Sequence, residues 1–253
     1  MTRFVIVRNV FLVIMSGVVL LDYFSFVHWI VYVLAVLVFV SFLVIGSSVM
    51  KYNVFLSAYT FPENTENKIA ITFDDGPHLF TESVLDILSK YKSKASFFLI
   101  GKNIEEYPAI AQRIVDEGHV VGNHSYSHHS LFSLFRKKRI ADEIRKTNRL
   151  ITDITGKTVN CFRPPYGVTN PAIAAAVKTT HMQVIGWNLR SFDTAVKNPE
   201  KVTARVISKL KAGSVILLHD NREQTAQILE AILLHAREKN YTCVTIDEIF
   251  KLN

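Results

Sequence analysis

The sequence predicts an α/β domain whose parallel strands curl into a barrel, preceded by an N-terminal membrane segment. Three observations carry this. The strongest apolar run fills the first fifth of the chain. Beyond about residue 68, short apolar runs alternate with helical patterns, and chemically versatile polar residues sit at the ends of those runs. The chain has 253 residues, enough for one domain with a sizeable core. Hydrophobic residues make up 49% of it, and the excess over an ordinary globular chain is concentrated before residue 46.

Residues 24–45 carry no formal charge and are mostly apolar. That is roughly 22 residues, enough to cross about 30 Å of hydrocarbon as a helix. Residues 10–21 are also apolar but short; extending them back to Phe4 reaches a spanning length and takes in Arg8 and Asn9. The preferred reading of residues 1–46 is a helical hairpin of about 4–21 and 24–45 that turns near Asp22. An interfacial first helix and one long bent helix are the alternatives. No small-residue cleavage site follows, which argues against a removed signal peptide. Arg3 and Arg8 favour a cytoplasmic N-terminus, and Lys51 also pulls inward. Two spans would then leave the following domain in the cytoplasm, and one span would leave it outside. The expected location is the cell membrane with that domain facing the envelope, an orientation these few charges do not fix.

Residues 47–67 read as a linker that ends in the polar stretch 62–67. Strands are expected over 68–73, 95–100, 119–123, 161–163, 182–189, 214–219 and 241–246. Helical patterns fall between them at 81–91, 105–117, 138–154, 171–178, 199–211 and 222–239. Alternation of this kind argues for parallel strands with helical crossovers, and seven strands point to a barrel over an open sheet. No glycine-rich phosphate loop follows the first strand, so nucleotide binding is disfavoured. Neither repeats nor low-complexity tracts are present.

The net charge of +7 admits nucleic acid, anionic lipid or an acidic polymer as a partner. The densest basic run, Arg136 to Arg139 followed by Arg145, Lys146 and Arg149, spreads around a predicted helix and reads as a solvated face. Attraction to a membrane surface is the alternative. No nucleic-acid motif is present, and no nucleic-acid partner is expected. Cys161 and Cys243 lie far apart in apolar runs without metal or redox spacing and read as free buried thiols.

Asp74 and Asp75 end the first strand, and His124 and His128 follow the third. Arg163 to Tyr166 follow the fourth, Asp193 follows the fifth, and His219 ends the sixth. In a parallel barrel the C-terminal strand ends converge on one face, so these residues gather there. His124 and His128 are four apart, a spacing that puts both imidazoles on one side of a helical turn. Two histidines and a carboxylate form an open zinc set. A histidine pair alone is a weak signal. Beside Asp74-Asp75 it is stronger, because one aspartate can bind a metal while the other acts as a base. Adjacent carboxylates repel, and a bound dication or a nearby arginine compensates. Arg163 is presented by a turn stiffened by Pro164 and Pro165. The bland reading of Asp74-Asp75-Gly76-Pro77 is a turn after a strand.

The run Thr72-Phe73-Asp74-Asp75-Gly76-Pro77 resembles the first signature of the polysaccharide deacetylase family, carbohydrate esterase family 4, with its NodB homology domain. The match continues in order through His124-Ser125-Tyr126-Ser127-His128, Arg163-Pro164-Pro165-Tyr166 and Leu217-Leu218-His219, and covers residues 68–253. The resemblance implies a distorted (β/α)7 barrel of the NodB type. It implies that Asp75, His124 and His128 bind a divalent metal, usually zinc, with cobalt or another divalent ion as substitutes. Asp74 would be the general base on the metal-bound water, His219 the general acid on the leaving amine, and Arg163 the residue orienting Asp74. The Tyr166 backbone N–H would face the developing oxyanion. The products would be acetate and a free amino sugar. One motif departs from the family pattern: the usual Asp-x-x-Asp-Trp appears as Arg190-Ser191-Phe192-Asp193-Thr194. Asp193 matches the second aspartate, and the carboxylate that would pair with Arg163 is either Asp193 or absent. This puts substrate choice in doubt and leaves the metal chemistry intact.

Other polar residues take plainer readings. His119, His181 and His235 read as structural or surface groups, and His129 as rim. His78 lies next to the Asp-Asp turn, within possible reach of substrate. Trp187 reads as core before sugar platform. Asp220 either tunes His219 or caps the following helix. The leading expectation is a membrane-held hydrolase of N-acetyl groups on peptidoglycan or another envelope glycan. The alternatives are a deacetylase or deformylase of a lipid-linked sugar, and a silent membrane-tethered glycan-binding protein. Oligomeric state is not legible.

Overall fold

The computed structural model describes residues 2–25, 27–63 and 65–252. Phe26, in the second expected membrane helix, Asn64, in the expected linker, and the terminal Met1 and Asn253 lie outside the described residues.

The first two elements are α1 (Arg3–Phe24) and α2 (Ile30–Ser48), both long and apolar enough to cross a membrane. They lie side by side, with Phe11 and Phe39 stacked at 4.2 Å. Helix α1 runs past the expected turn at Asp22 to Phe24, and the Asp22 carboxylate accepts the Val27 N–H at 2.8 Å and the Tyr32 hydroxyl at 3.0 Å. That turn delays the second helix to Ile30, later than the expected residue 24.

The stretch expected as a linker is instead part of the fold. Met50, Val54, Phe55, Leu56 and Ala58 are buried, and β1 (Ala58–Tyr59) pairs in parallel with β6 (Gln183–Ile185). A two-residue strand has no periodicity to detect, and its partner lies more than 120 residues away. The same stretch ties the hairpin to the domain. Val54 C=O accepts the Phe4 N–H at 2.9 Å, and Ser47 exchanges hydrogen bonds with Thr169 at 2.7 and 2.9 Å. A Cβ on Gly46 would lie 2.9 Å from both Val54 methyls, so this approach requires glycine.

The remaining strands are β2 (Lys68–Gly76), β3 (Ser96–Leu99), β4 (Val120–Asn123), β5 (Cys161–Phe162), β7 (Leu189–Arg190), β8 (Val215–His219) and β9 (Thr242–Val244). They form one curled sheet in the order β1-β6-β5-β4-β3-β2-β8-β7, with β9 beside the start of β2. Every ladder among the described residues is parallel, as the alternation predicts. The nine strands exceed the expected seven for two reasons: β1 arises from the linker, and the run 182–189 divides at Gly186 into β6 and β7. β6 stays with β5 while β7 crosses to β8, so the ladder opens at this seam.

Helices α3 (Leu79–Lys90), α4 (Gly101–Glu106), α5 (Pro108–Asp116), α6 (Lys137–Thr155), α7 (Pro171–Thr180), α8 (Pro199–Ile207), α9 (Thr225–Glu238) and α10 (Ile246–Phe250) complete the domain. Helix α6 shows why they pack. Ile140, Ile144, Thr147 and Ile151 recur at helical spacing and are buried. Its cations face outward, Arg139 over the Phe135 ring and Lys146 over the Tyr126 ring, so the basic run is a solvated face. Phe73 and Phe97 stack at 4.9 Å in the main core. Burying such side chains contributes about 1.5–3 kcal/mol each and holds the strand ends in register beneath the site.

Candidate active site

A regular strand would send the side chains of Asp74 and Asp75 to opposite faces. Here the β2–β3 register shifts between Asp74 and Gly76, and Asp75 takes φ 73°. The extra residue re-aims its side chain, and both carboxylates line one cavity. The Asn103 side chain holds this bulge by donating to the Asp75 carbonyl at 2.7 Å.

Arg163, directly after β5, is wholly buried. It donates to Asp74 Oδ1 at 2.7 Å, Thr72 Oγ1 at 2.9 Å, Ile185 C=O at 3.1 Å and Gly186 C=O at 2.9 Å. Its guanidinium also lies 4.0 Å from the Phe98 ring centre. The Ile185 and Gly186 carbonyls at the end of β6 are therefore satisfied by the same group that neutralises Asp74. Burial pushes the Asp74 carboxyl upward, but the charges of Arg163, His124 and His219 outweigh it and hold the pKa below the usual carboxylate value.

The two histidines meet in a loop, which corrects the helical-turn expectation. Residues 124–128 follow β4 as an irregular segment with Ser125 at φ 66° and His128 at φ 45°. Short side chains support it: Asn123 Oδ1 accepts Ser125 N–H, Ser125 Oγ accepts His128 N–H, and Glu143 accepts Ser127 N–H and Oγ–H. The rings lie 4.8 Å apart. His124 Nδ1 is 2.7 Å from the Arg163 carbonyl, which can only accept, so Nδ1 donates there and Nε2 is the nitrogen turned toward Asp75.

Asp75 Oδ1 lies 3.6 Å from His124 Nε2 and 3.4 Å from His128 Nε2. Ligands at about 2.0–2.1 Å from a tetrahedral ion are about 3.4 Å apart, so this donor set fits a divalent metal. Burial and the neighbouring His124 pull the His128 pKa down to about 4, leaving it neutral and ready to ligate near pH 7. Asp74 is already engaged by Arg163, and its Oδ2 is 3.8 Å from His124 Nε2.

Across the cavity, His219 Nδ1 is 2.9 Å from Asp193 Oδ1, and its backbone N–H donates to Oδ2 at 2.7 Å. Ser191 Oγ–H fixes the same carboxylate at 2.8 Å. Asp193 thus pairs with His219, which settles its open pairing with Arg163 against that reading. It follows the short β7 beside β8, whereas Arg163 is enclosed by β2 and the β6 end. Burial lowers the His219 pKa, but the Asp193 hydrogen bond and charge, with Asp74 and Asp75, raise it above the ordinary value.

Tyr166 has φ 60° and presents its half-exposed ring to His128 at 4.8 Å. Its backbone N–H has no acceptor among the described residues. Gly167, at φ 68°, leaves room for Trp187: a Cβ there would lie 2.4 Å from the indole. Trp187 consequently walls the cavity as well as touching the core. The cavity holds about 220 Å³ and is also lined by Arg190, Thr194 and Arg222.

The plainer residues fall into place. His119 accepts the Ala95 N–H in the core, His129 accepts Leu131 N–H at the rim, and His181 ends α7. His235 lies on α9 near Glu238. His78 caps α3 through the Phe80 N–H. Asp220 is buried behind the Asp-Asp turn, where Thr81 Oγ–H binds it at 2.6 Å and burial pushes its pKa up to about 7. It steadies the start of α3, which neither expected role anticipated. Both cysteines are free, Cys161 buried and Cys243 partly so. Sequence reasoning missed Thr72, Ser191 and Arg222; Thr72 and Ser191 lay inside motifs that could have flagged them, and Arg222 did not.

A barrel of this type with a two-histidine, one-aspartate set at its C-terminal rim defines a class of metal-dependent hydrolases. The sequence profile of the polysaccharide deacetylase family matches residues 62–185. The chain is 34% identical over 187 residues to the peptidoglycan-N-acetylglucosamine deacetylase PgdA of Listeria monocytogenes, covering 74% of this chain and 39% of that one. It is 33% identical over 200 residues to a Bacillus cereus peptidoglycan-N-acetylglucosamine deacetylase, covering 77% and 72%. The solved structure of the Bacillus subtilis peptidoglycan deacetylase PdaC superposes with a TM-score of 0.69 at 33% identity, over 73% of this chain and 90% of that one. The chain belongs to the polysaccharide deacetylase family. It spans about two fifths of the length of the Listeria relative.

Proposed function

We propose that the protein is a metal-dependent N-deacetylase that hydrolyses acetamide groups on the amino sugars of an envelope glycan, peptidoglycan foremost, releasing acetate. The observation that carries this is the division of labour between neighbouring carboxylates. Asp75 faces two imidazoles, while Asp74 is kept ionised by Arg163. The relatives' names support the substrate class.

Asp75, His124 and His128 would hold the metal, and zinc suits two imidazoles and one carboxylate. When bound, the ion supplies a Lewis acid that polarises the acetamide carbonyl and brings water's acidity near neutrality. Asp74 takes the proton from the attacking water. The Tyr166 N–H donates to the oxygen that gains charge. His219, kept protonated by Asp193, gives its proton to the departing nitrogen as the C–N bond breaks. Arg163 holds Asp74 in place and ionised. Trp187 and Tyr166 shield the acetyl group from bulk water. The apolar helices α1 and α2 would hold the protein in the cell membrane, with this face toward the envelope; a C-terminal reporter fusion tests the side.

Acetate release from N-acetylglucosamine oligosaccharides and from peptidoglycan by the full chain in detergent, with zinc supplied, tests the function. Turnover of either is expected. A folded, zinc-loaded protein that releases no acetate from any N-acetylated glycan contradicts it. Asp193→Asn provides a check on the acid. Removing the charge that raises the His219 pKa is expected to move the alkaline limb of kcat/KM to lower pH. An unmoved limb would assign that proton to another group.

A further inference from the structure

A second cavity of about 320 Å³ opens beside the catalytic one, lined by Lys51, Arg190, Arg205, Lys209, Trp187 and Phe192 among others. No carboxylate among the described residues lines it. None of the four cations forms an ion pair among the described residues. Four like charges gathered without counter-charge repel one another, and an anion offsets that cost. Two of them are arranged in advance. Arg190 and Arg205 both stand over the Phe192 ring, at 5.0 and 4.4 Å, and Arg205 Nε donates to the Arg190 carbonyl at 3.2 Å. Guanidinium forks fixed in this way match phosphate oxygens.

The position of the groove says where the anion comes from. Its wall includes Ser48, the last residue of α2, and Val49 to Lys51 directly after it. Its other end is the catalytic cavity, because Trp187 and Arg190 line both. The path therefore runs from the end of an apolar helix to the catalytic residues. We infer that the groove binds the phosphate or diphosphate of a lipid-linked N-acetylated sugar presented by the bilayer, with the acetamide in the catalytic cavity. This rests on the deacetylase reading and names its substrate class.

The test is binding of farnesyl diphosphate by the full chain in detergent micelles, compared with inorganic diphosphate. The prenyl diphosphate is expected to bind at least about tenfold more tightly, and Arg205→Gln/Lys209→Gln to weaken it about tenfold. The charge-preserving pair Arg205→Lys/Lys209→Arg is expected to regain most of the affinity, which separates lost charge from misfolding. Affinity unaffected by the glutamine pair overturns the groove. Equal affinity for inorganic diphosphate overturns the bilayer source. Binding is read without turnover, so failure to release acetate would fault the deacetylase reading and leave this result standing.

Discussion

Replacing Asp74 by asparagine is expected to reduce acetate release by about 10²–10⁴-fold, the range lost with a general base. The variant should still take up one metal ion, because Asp75, His124 and His128 are untouched. A second effect follows from burial. Asp74 and Arg163 are both almost fully enclosed, and their contact is 2.7 Å. An uncompensated guanidinium in that position costs about 3–5 kcal/mol. The sign with pH is fixed by the lowered Asp74 pKa. The carboxylate contributes stability above its unfolded value of about 3.9, and that contribution disappears as pH falls through the lower folded value. Denaturation of wild type and variant at pH 7 and at pH 3 should show the gap narrowing in acid. Wild-type rates in a folded, metal-loaded variant would remove Asp74 from the mechanism.

Arg163→Met is expected to be the most destabilising single change in the domain, also by about 3–5 kcal/mol. Methionine fills part of the volume but donates nothing to Asp74, Thr72, Ile185 or Gly186. The Asp74 carboxyl loses its main opposing charge, so its pKa rises. The acid limb of kcat/KM should move to higher pH. Combining Arg163→Met with Asp74→Asn removes both charges. The double variant should be more stable than the sum of the single losses predicts, by about 1–3 kcal/mol, if the pair acts as a unit. Additive losses would mean that Arg163 acts mainly on the Ile185 and Gly186 carbonyls.

The candidate site was legible because its residues lie at strand ends. Asp74, Asp75, His124, Arg163 and His219 each follow an apolar run, and parallel strands bring such ends together. Local geometry was less legible. The spacing of His124 and His128 suits a helix, yet Asn123, Ser125 and Glu143 build a loop that brings the rings together. Side-chain competition of this sort leaves no periodic trace. β1 escaped for another reason: it is two residues long and is defined by a partner near residue 184. That Asp193 pairs with His219 and not with Arg163 depends on the break between β6 and β7, which a continuous apolar run concealed. The basic groove was invisible because its cations come from the end of α2, from β7 and from α8 and its end, and no local segment of the sequence holds them together.

The central claim is that one divalent ion on Asp75, His124 and His128, with Asp74 beside it, makes this protein a deacetylase. The most direct measurement strips the full chain of metal and adds zinc back while following bound ion and acetate release together. Activity is expected to return in proportion to occupancy and to saturate at one ion per chain, with His128→Ala failing on both counts. Acetate release from the stripped protein, or full activity in His128→Ala, would contradict the account.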